Sequence, residues 1–282
     1  ICSALVLNRD PNVPPFSTSW QYSPTWWGCL RNQLGYQILT RVTKPIKDFI
    51  DESRQKWNLP AYSNVNKSYS PLAQISHQPA EFEYPRLNLP EWFHFTGPYH
   101  YSTNREPVPF PWDKLTGQPL IYASMGTLQN RLVDVFEKIA SACEGLDAQL
   151  VMTLGGSGNP ESLAELPGNP LVVSYAPQLE LLQKATLTIT HAGMNTTLEC
   201  LTNGVPMVAI PVANDQPGIA MRIAWTGTGE VIPLNKLSVE SLHKAVKQVL
   251  TEDSYKKNAL RLQEAIKRCG GEIGRASCRE RV

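Results

Sequence analysis

The stretch Thr190-His191-Ala192-Gly193-Met194-Asn195-Thr196-Thr197-Leu198-Glu199 decides how this chain is read. An apolar strand over Leu187–Thr190 runs into a turn, and a helix over Asn195–Thr202 begins at once. Gly193 lets a ligand approach the backbone closely. Asn195 and Thr196 stand at the helix start, where unpaired amide donors and the helix dipole favour an anion. A diphosphate fits there. His191 at the strand end can donate to a phosphate oxygen, and Glu199, one turn on, can accept from ribose hydroxyls. An ordinary strand–helix turn capped by Asn or Thr fits the same residues equally well.

Around this stretch, strands and helices alternate from Pro119 onward. Strands are expected at Leu120–Ser124, Gln149–Leu154, Leu171–Tyr175 and Met207–Ile210. Helices are expected at Arg131–Cys143, Leu179–Lys184, Gly218–Trp225, Ser238–Leu250 and Ser254–Lys267. Leu132, Val135, Phe136, Ile139, Ala140 and Cys143 share one face of the first of these helices. Ser238 is a natural N-cap, as is Asp253 or Ser254 for the last helix. Such alternation with short connections predicts an α/β fold, a parallel sheet wrapped by helices. Ligands of such sheets bind at strand carboxyl ends, where chain order reverses. The glycine-bearing turns after residues 124, 154 and 190 all fall there.

Two further segments belong with the first. Tyr175-Ala176-Pro177-Gln178 ends a strand; an aromatic ring there can stack on a flat base, and Gln178 can bond base or ribose edges. A core tyrosine before a helix-starting turn is the plainer reading. Asp215-Gln216 follows the strand at Met207 and offers a carboxylate beside an amide, which suits sugar hydroxyls. A capped helix start is again the plainer alternative.

The first 118 residues have a different texture, rich in Pro, Trp and Tyr. The apolar run Ile1–Leu7 reads as a buried strand, and the chain as starting mid-domain. Residues 14–20 read as a turn-rich stretch with exposed aromatics. A helical pattern runs from about Leu30 to Trp57, interrupted at Pro45. Short strands fit Leu72–Ser76 and Trp92–Thr96. The prolines of Glu106–Pro111 make a stiff linker.

Composition sets the outer bounds. Hydrophobic content of 42% supports a packed core, and a net charge of +1 gives no electrostatic case for nucleic acid or an anionic membrane. Cys2, Cys29, Cys143, Cys200, Cys269 and Cys278 show no metal-ligand spacing and read as reduced thiols. No apolar run reaches the length of a membrane span.

Taken in order, Tyr175-Ala-Pro-Gln178, His191 to Glu199, Gly204-Val-Pro-Met207 and Asp215-Gln216 resemble the donor-binding signature of family 1 UDP-glycosyltransferases. The resemblance implies the GT-B architecture: two Rossmann-like domains facing across a cleft, with the donor held by the C-terminal one. It assigns Tyr175 to uracil stacking, Gln178 to the nucleoside, and His191, Gly193, Asn195 and Thr196 to the diphosphate. It gives Glu199 the ribose hydroxyls, and Asp215 and Gln216 the sugar hydroxyls. Ser124, Gly126 and Thr127 match the family's loop beside the phosphates. Met194, where plant members have Trp, points to a bacterial macrolide or carotenoid-type branch. On this basis residues 1–104 are part of an N-terminal, acceptor-side domain, 105–118 a linker, and 119–271 the nucleotide-sugar domain.

The implied activity is transfer of a hexose, glucose first, from a UDP-sugar to a hydroxyl of a small lipophilic acceptor, with inversion. The UDP-sugar is a co-substrate, with no further cofactor and no metal, since no Asp-x-Asp motif occurs. The implied location is cytoplasmic, with peripheral contact at the inner membrane face. Two features depart from the family. Its glycine–histidine motif, which carries the catalytic base, does not occur here; His77, His94 and His100 do not match it and read as surface or linker residues. The base and its partner Asp are therefore expected upstream of Ile1, and the fragment is expected to be inactive alone. Residues 272–282 lack the family's closing Ala-rich helix and read as a non-native tail or a divergent terminal helix. The alternatives are a UDP-binding module without independent catalysis and a UDP-sugar 2-epimerase on the same fold.

Overall fold

The computed structural model describes residues 2–3, 5–99, 106–126, 133–156, 159–163 and 165–271. Chain order in the first region is β1 (Cys2–Ser3), α1 (Trp26–Val42), α2 (Lys44–Lys56), β2 (Gln74–Ser76) and β3 (Phe93–Phe95). The second region opens with β4 (Leu120–Ser124), α3 (Val133–Cys143), β5 (Gln149–Thr153) and β6 (Leu171–Val173). It continues with α4 (Gln178–Leu182), β7 (Ala185–Thr190), α5 (Met194–Thr202), β8 (Met207–Ala209) and α6 (Gln216–Trp225). It closes with β9 (Gly229–Val231), α7 (Val239–Thr251) and α8 (Asp253–Arg268).

The strands form two sheets. One is three-stranded, β1-β2-β3, and the other six-stranded, β6-β5-β4-β7-β8-β9; all pairs are parallel. In the larger sheet the chain lays β4, β5 and β6 outward, then returns to set β7 on the other side of β4. Strand order thus reverses between β4 and β7, which opens a crevice at their carboxyl ends.

The alternation along β4 shows why the sheet is covered on both faces. Ile121 and Ala123 pack with Phe136 and Ile139 of α3 and with Leu242 and Val246 of α7. Leu120 and Tyr122 point the other way, onto Leu198 of α5, Ile219 of α6 and Leu262 of α8. Burial on both faces requires the near-continuous apolar runs seen in the sequence.

Several expectations need correction. The strand expected over Ile1–Leu7 is only Cys2–Ser3 among the described residues. Beyond it the backbone serves a side chain instead: Arg86 donates to the carbonyls of Val6 (3.1 Å) and Asn8 (2.7 Å). The aromatics of residues 14–20 are half-buried rather than exposed. Phe16 packs on the α5–α6 side of the larger sheet, and the Trp20 ring lies against Gly35 of α1. Helix α1 starts at Trp26, not Leu30, because Thr25 caps it by accepting from the Gly28 amide (3.2 Å). Pro45 stands in the first turn of α2, where its missing N–H costs no helix bond. Strand β9 was not expected; Glu230 at its centre breaks the apolar run. Neither Asp253 nor Ser254 caps α8. Glu252 alone separates it from α7, and the Glu252 amide closes the last turn of α7 on the Gln248 carbonyl (2.9 Å). Ser238 does cap α7, in a reciprocal box with Ser241.

A buried ionic seam joins the two regions. Arg222 of α6 donates to Glu83 through Nη2 (2.6 Å) and Nε (3.2 Å). Arg86 (3.2 Å) and Gln78 (2.7 Å) donate to the same carboxylate. Burial penalises the Glu83 charge, yet Arg222 and Arg86 outweigh it and hold the carboxyl below its ordinary pKa. Tyr22, Tyr84 and Trp225 stack around this cluster, with the Arg222 guanidinium over the Tyr84 ring. The end of α8 also returns to the first region: Arg268 pairs with Glu81 (3.0 Å), and the Gly271 amide donates to the Thr96 carbonyl (2.6 Å). Residues 272–282 lie outside the described residues. No helix of the described residues is long and apolar enough to cross a membrane.

Candidate functional site

The carboxyl ends of β4, β5 and β7 open into a cavity of about 940 Å³. Ser124, Gly126, Tyr175, Gln178, His191, Gly193, Asn195, Thr196 and Glu199 all line it. Thr127 lies outside the described residues.

The turn between β7 and α5 is tightly determined. Ala192 is fully buried with φ +62°, a conformation that non-glycine residues rarely take. It puts His191 at the mouth of the crevice and starts α5 immediately after Gly193. Gly193 occupies the N-cap and places no side chain over the helix's first amides, and no acidic residue stands in the first turn. Those amides have no intrahelical acceptor, and Gly193, Met194, Asn195 and Thr196 all line the cavity. A helix start of this kind can hold an anion. The cap is thus glycine, not the Asn or Thr of the plainer sequence reading.

The His191 ring is held between two glycines. A Cβ at Gly126 would come within 2.6 Å of Cε1, and one at Gly193 within 2.5 Å of Nε2. Gly126 also has φ +75°, so both space and backbone demand glycine there. Burial holds the His191 pKa below its ordinary value; the Ser124 backbone and the Asp215 carboxylate pull the other way. The neutral ring can donate one hydrogen bond to an anion and takes up a proton if that anion is strong.

The deeper wall is a side-chain chain of three. Tyr122, on β4, donates from its hydroxyl to Gln178 Oε1 (3.1 Å). Gln178 Nε2 donates to Glu199 Oε2 (2.5 Å) and lies 3.4 Å from Thr196 Oγ1. Glu199 is almost wholly buried on α5. At the outer wall Tyr175 is 52% exposed, with its ring beside Gly156, and presents a flat face to the opening.

Asp215 and Gln216 sit differently. They follow β8 at the start of α6 and do not line this cavity. The Gln216 side-chain carbonyl accepts from the amides of Val212 (2.8 Å) and Ala213 (2.9 Å), so it braces its own loop. Asp215 is close enough to His191 to influence its charge. Neither His77 nor His94 lines the cavity, and His100 lies outside the described residues. Cys29, Cys143, Cys200 and Cys269 are free.

Sequence reasoning missed Tyr122 and the segment Glu106-Pro107-Val108-Pro109, which also line the cavity. Tyr122 reads as one more apolar strand residue; its hydroxyl, which would need a partner when buried, was the available signal.

Comparison with known proteins gives a consistent result. The sequence family described as UDP-glucoronosyl and UDP-glucosyl transferase matches residues 64–268. The zeaxanthin glucosyltransferase of Pantoea ananas is 31% identical over 284 residues, covering 100% of this chain and 66% of that protein. The NDP-glycosyltransferase YjiC of Bacillus subtilis (strain 168) is 28% identical over 260 residues, covering 92% of this chain and 65% of its own length. Among solved structures, the glycotransferase of kitacinnamycin superposes with TM-score 0.76 at 23% identity, over 88% of this chain and 66% of that one. The calicheamicin glycosyltransferase CalG4 gives TM-score 0.71 at 22% identity, over 87% and 62%. The chain thus spans just under two thirds of the length of these relatives.

Proposed function

Given that the chain belongs to the UDP-glucoronosyl and UDP-glucosyl transferase family, we propose that the cavity at the ends of β4, β5 and β7 is the donor site of a UDP-dependent hexosyltransferase. One observation carries the reading: the unobstructed N-terminus of α5 and the glycine-flanked His191 face one cavity together with Tyr175, Gln178 and Glu199. Anion donors, a flat aromatic face and a buried carboxylate are what a nucleoside diphosphate needs.

In this reading Tyr175 stacks on the uracil, and Gln178 and Glu199 meet the nucleoside and its ribose diol. His191, Gly193, Asn195, Thr196 and the Ser124–Thr127 loop meet the diphosphate. Asp215 and Gln216 serve the sugar from the neighbouring loop, Gln216 through its amide nitrogen while its oxygen braces the turn. The hexose, glucose first, passes to a hydroxyl of a small lipophilic acceptor. The acceptor oxygen forms a bond to the anomeric carbon from the face opposite UDP. The bond to the diphosphate oxygen breaks, UDP leaves with the electron pair, and the hydroxyl proton goes to a general base. The α5 N-terminus and His191 stabilise the charge growing on the departing diphosphate. Residues 1–104 belong to the acceptor side, and 105–118 join it to the donor domain.

Titration calorimetry of the chain with UDP tests this. Saturable binding is expected, and His191→Ala combined with Glu199→Ala abolishes it. No binding to the unmodified chain, or binding that survives both substitutions, overturns the reading.

A further inference from the structure

We propose that Tyr122 is a positioning residue of the nucleotide site, orienting Glu199 toward the ribose diol through the Gln178 carboxamide. The inference rests on the donor-site reading above.

The chemistry of the three partners fixes the arrangement. An ionised carboxylate only accepts hydrogen bonds, so Gln178 must turn its NH2 toward Glu199. That leaves Gln178 Oε1 facing Tyr122, whose hydroxyl lies 3.1 Å away and donates. Turning the amide over would set oxygen against carboxylate and NH2 against hydroxyl. The Tyr122 hydroxyl could pair with either end of the amide, so Glu199 sets which way the amide faces and Tyr122 anchors it there. Tyr122 is 1% exposed and stands on the central strand of the larger sheet, between β5 and β7. Its ring is packed with Leu198 and Leu201 of α5, so the hydroxyl is a fixed reference point. Burial raises the phenol pKa well above its ordinary value, so the hydroxyl stays neutral and keeps a proton to donate. Gln178, by contrast, is half-exposed at the start of the short helix α4 and would sample other rotamers without such a partner. Glu199 Oε2 accepts from Gln178 at 2.5 Å, so the carboxylate's orientation depends on where that amide sits.

The test compares two ligands on the full chain, UDP and 2′,3′-dideoxy-UDP, by titration calorimetry. In the unmodified protein, loss of the diol weakens binding. Tyr122→Phe is expected to weaken UDP binding roughly three- to tenfold and the dideoxy ligand clearly less, because the diol contact is misplaced on top of any shift of Gln178 itself. The ratio between ligands then collapses. Gln178→Met removes both the relay and its own nucleoside contact, so it should weaken both ligands, and adding Tyr122→Phe to it should cost nothing further. A Tyr122→Phe variant that weakens both ligands equally, or neither, overturns the proposal, as does additivity with Gln178→Met. Tyr122→Leu, which also lacks the hydroxyl, carries the test if Tyr122→Phe does not fold: a retained ligand ratio overturns the relay, and a collapsed one supports it. Failure of the unmodified chain to bind UDP is a different result; it removes the donor-site reading and this inference with it.

Discussion

Helices α1 and α3 bury opposite kinds of surface. Helix α3 turns Val135, Phe136, Ile139 and Ala140 inward and its charges outward. Helix α1 buries Gly28, Asn32 and Gly35, while Trp26, Trp27, Leu34, Ile38 and Val42 stay exposed. Helix α2 buries nothing and exposes Ile46 and Phe49. The inward face of α1 is set by polar and close-packing needs: the Asn32 amide donates to the Pro11 carbonyl (3.0 Å), and Gly28 and Gly35 admit Ser23 and the Trp20 ring. Apolar periodicity thus locates the core in the second region and the surface in the first.

The seam between the regions gives the largest expected effect. Glu83→Ala leaves Arg222 and Arg86 buried with no carboxylate. Removing one partner of a buried pair costs about 3–5 kcal/mol. Urea denaturation should show that loss, and a change below about 1 kcal/mol, typical of an exposed pair, would mean the seam is solvated and the regions are not clamped by it.

The contrast between α1 and α3 is tested next. Ile139→Ala in α3 opens a cavity and should cost about 2–5 kcal/mol. Ile38→Ala in α1 removes a side chain that is 59% exposed and should shift stability by no more than about 0.5 kcal/mol. Comparable losses at both positions would show that α1's outer face is covered in solution, which would erase the distinction.

The same contrast governs how much was legible in the sequence. In the second region every expected strand and helix is present within a few residues, because each apolar run there is buried on the side its period implies. The site cluster was legible for the same reason: His191, Gly193 and Glu199 lie on one strand–turn–helix unit, so local order fixes their geometry. The Glu83–Arg222 pair was not legible. Its partners are 139 residues apart, and neither carries a local pattern. Tyr122 was hidden because its hydroxyl acts across the sheet, 56 positions from Gln178. The first region misled the reading at residues 14–20, where aromatics beside prolines suggested a solvent-facing turn. Tertiary packing against α1 and α6 overrides that local signal.

The smallest expected effect separates His191 from Glu83 by pH. Burial sets the folded His191 pKa below its ordinary value of 6.5, so on the acid side the unfolded chain binds a proton that the folded chain resists. Its contribution to stability is complete above the unfolded pKa and is lost as pH falls through the folded one. Glu83 also has a lowered pKa, but its contribution is complete above the ordinary carboxylate range and fails only at more acid pH. Between about pH 7 and about pH 5, therefore, the melting temperature should fall with a component belonging to His191 and not to the seam. His191→Asn should flatten that slope and leave the steeper acid collapse in place. If the slope is unchanged in His191→Asn, the imidazole is solvated enough to protonate freely, and the glycine-flanked ring is less sequestered than its packing against Gly126 and Gly193 implies.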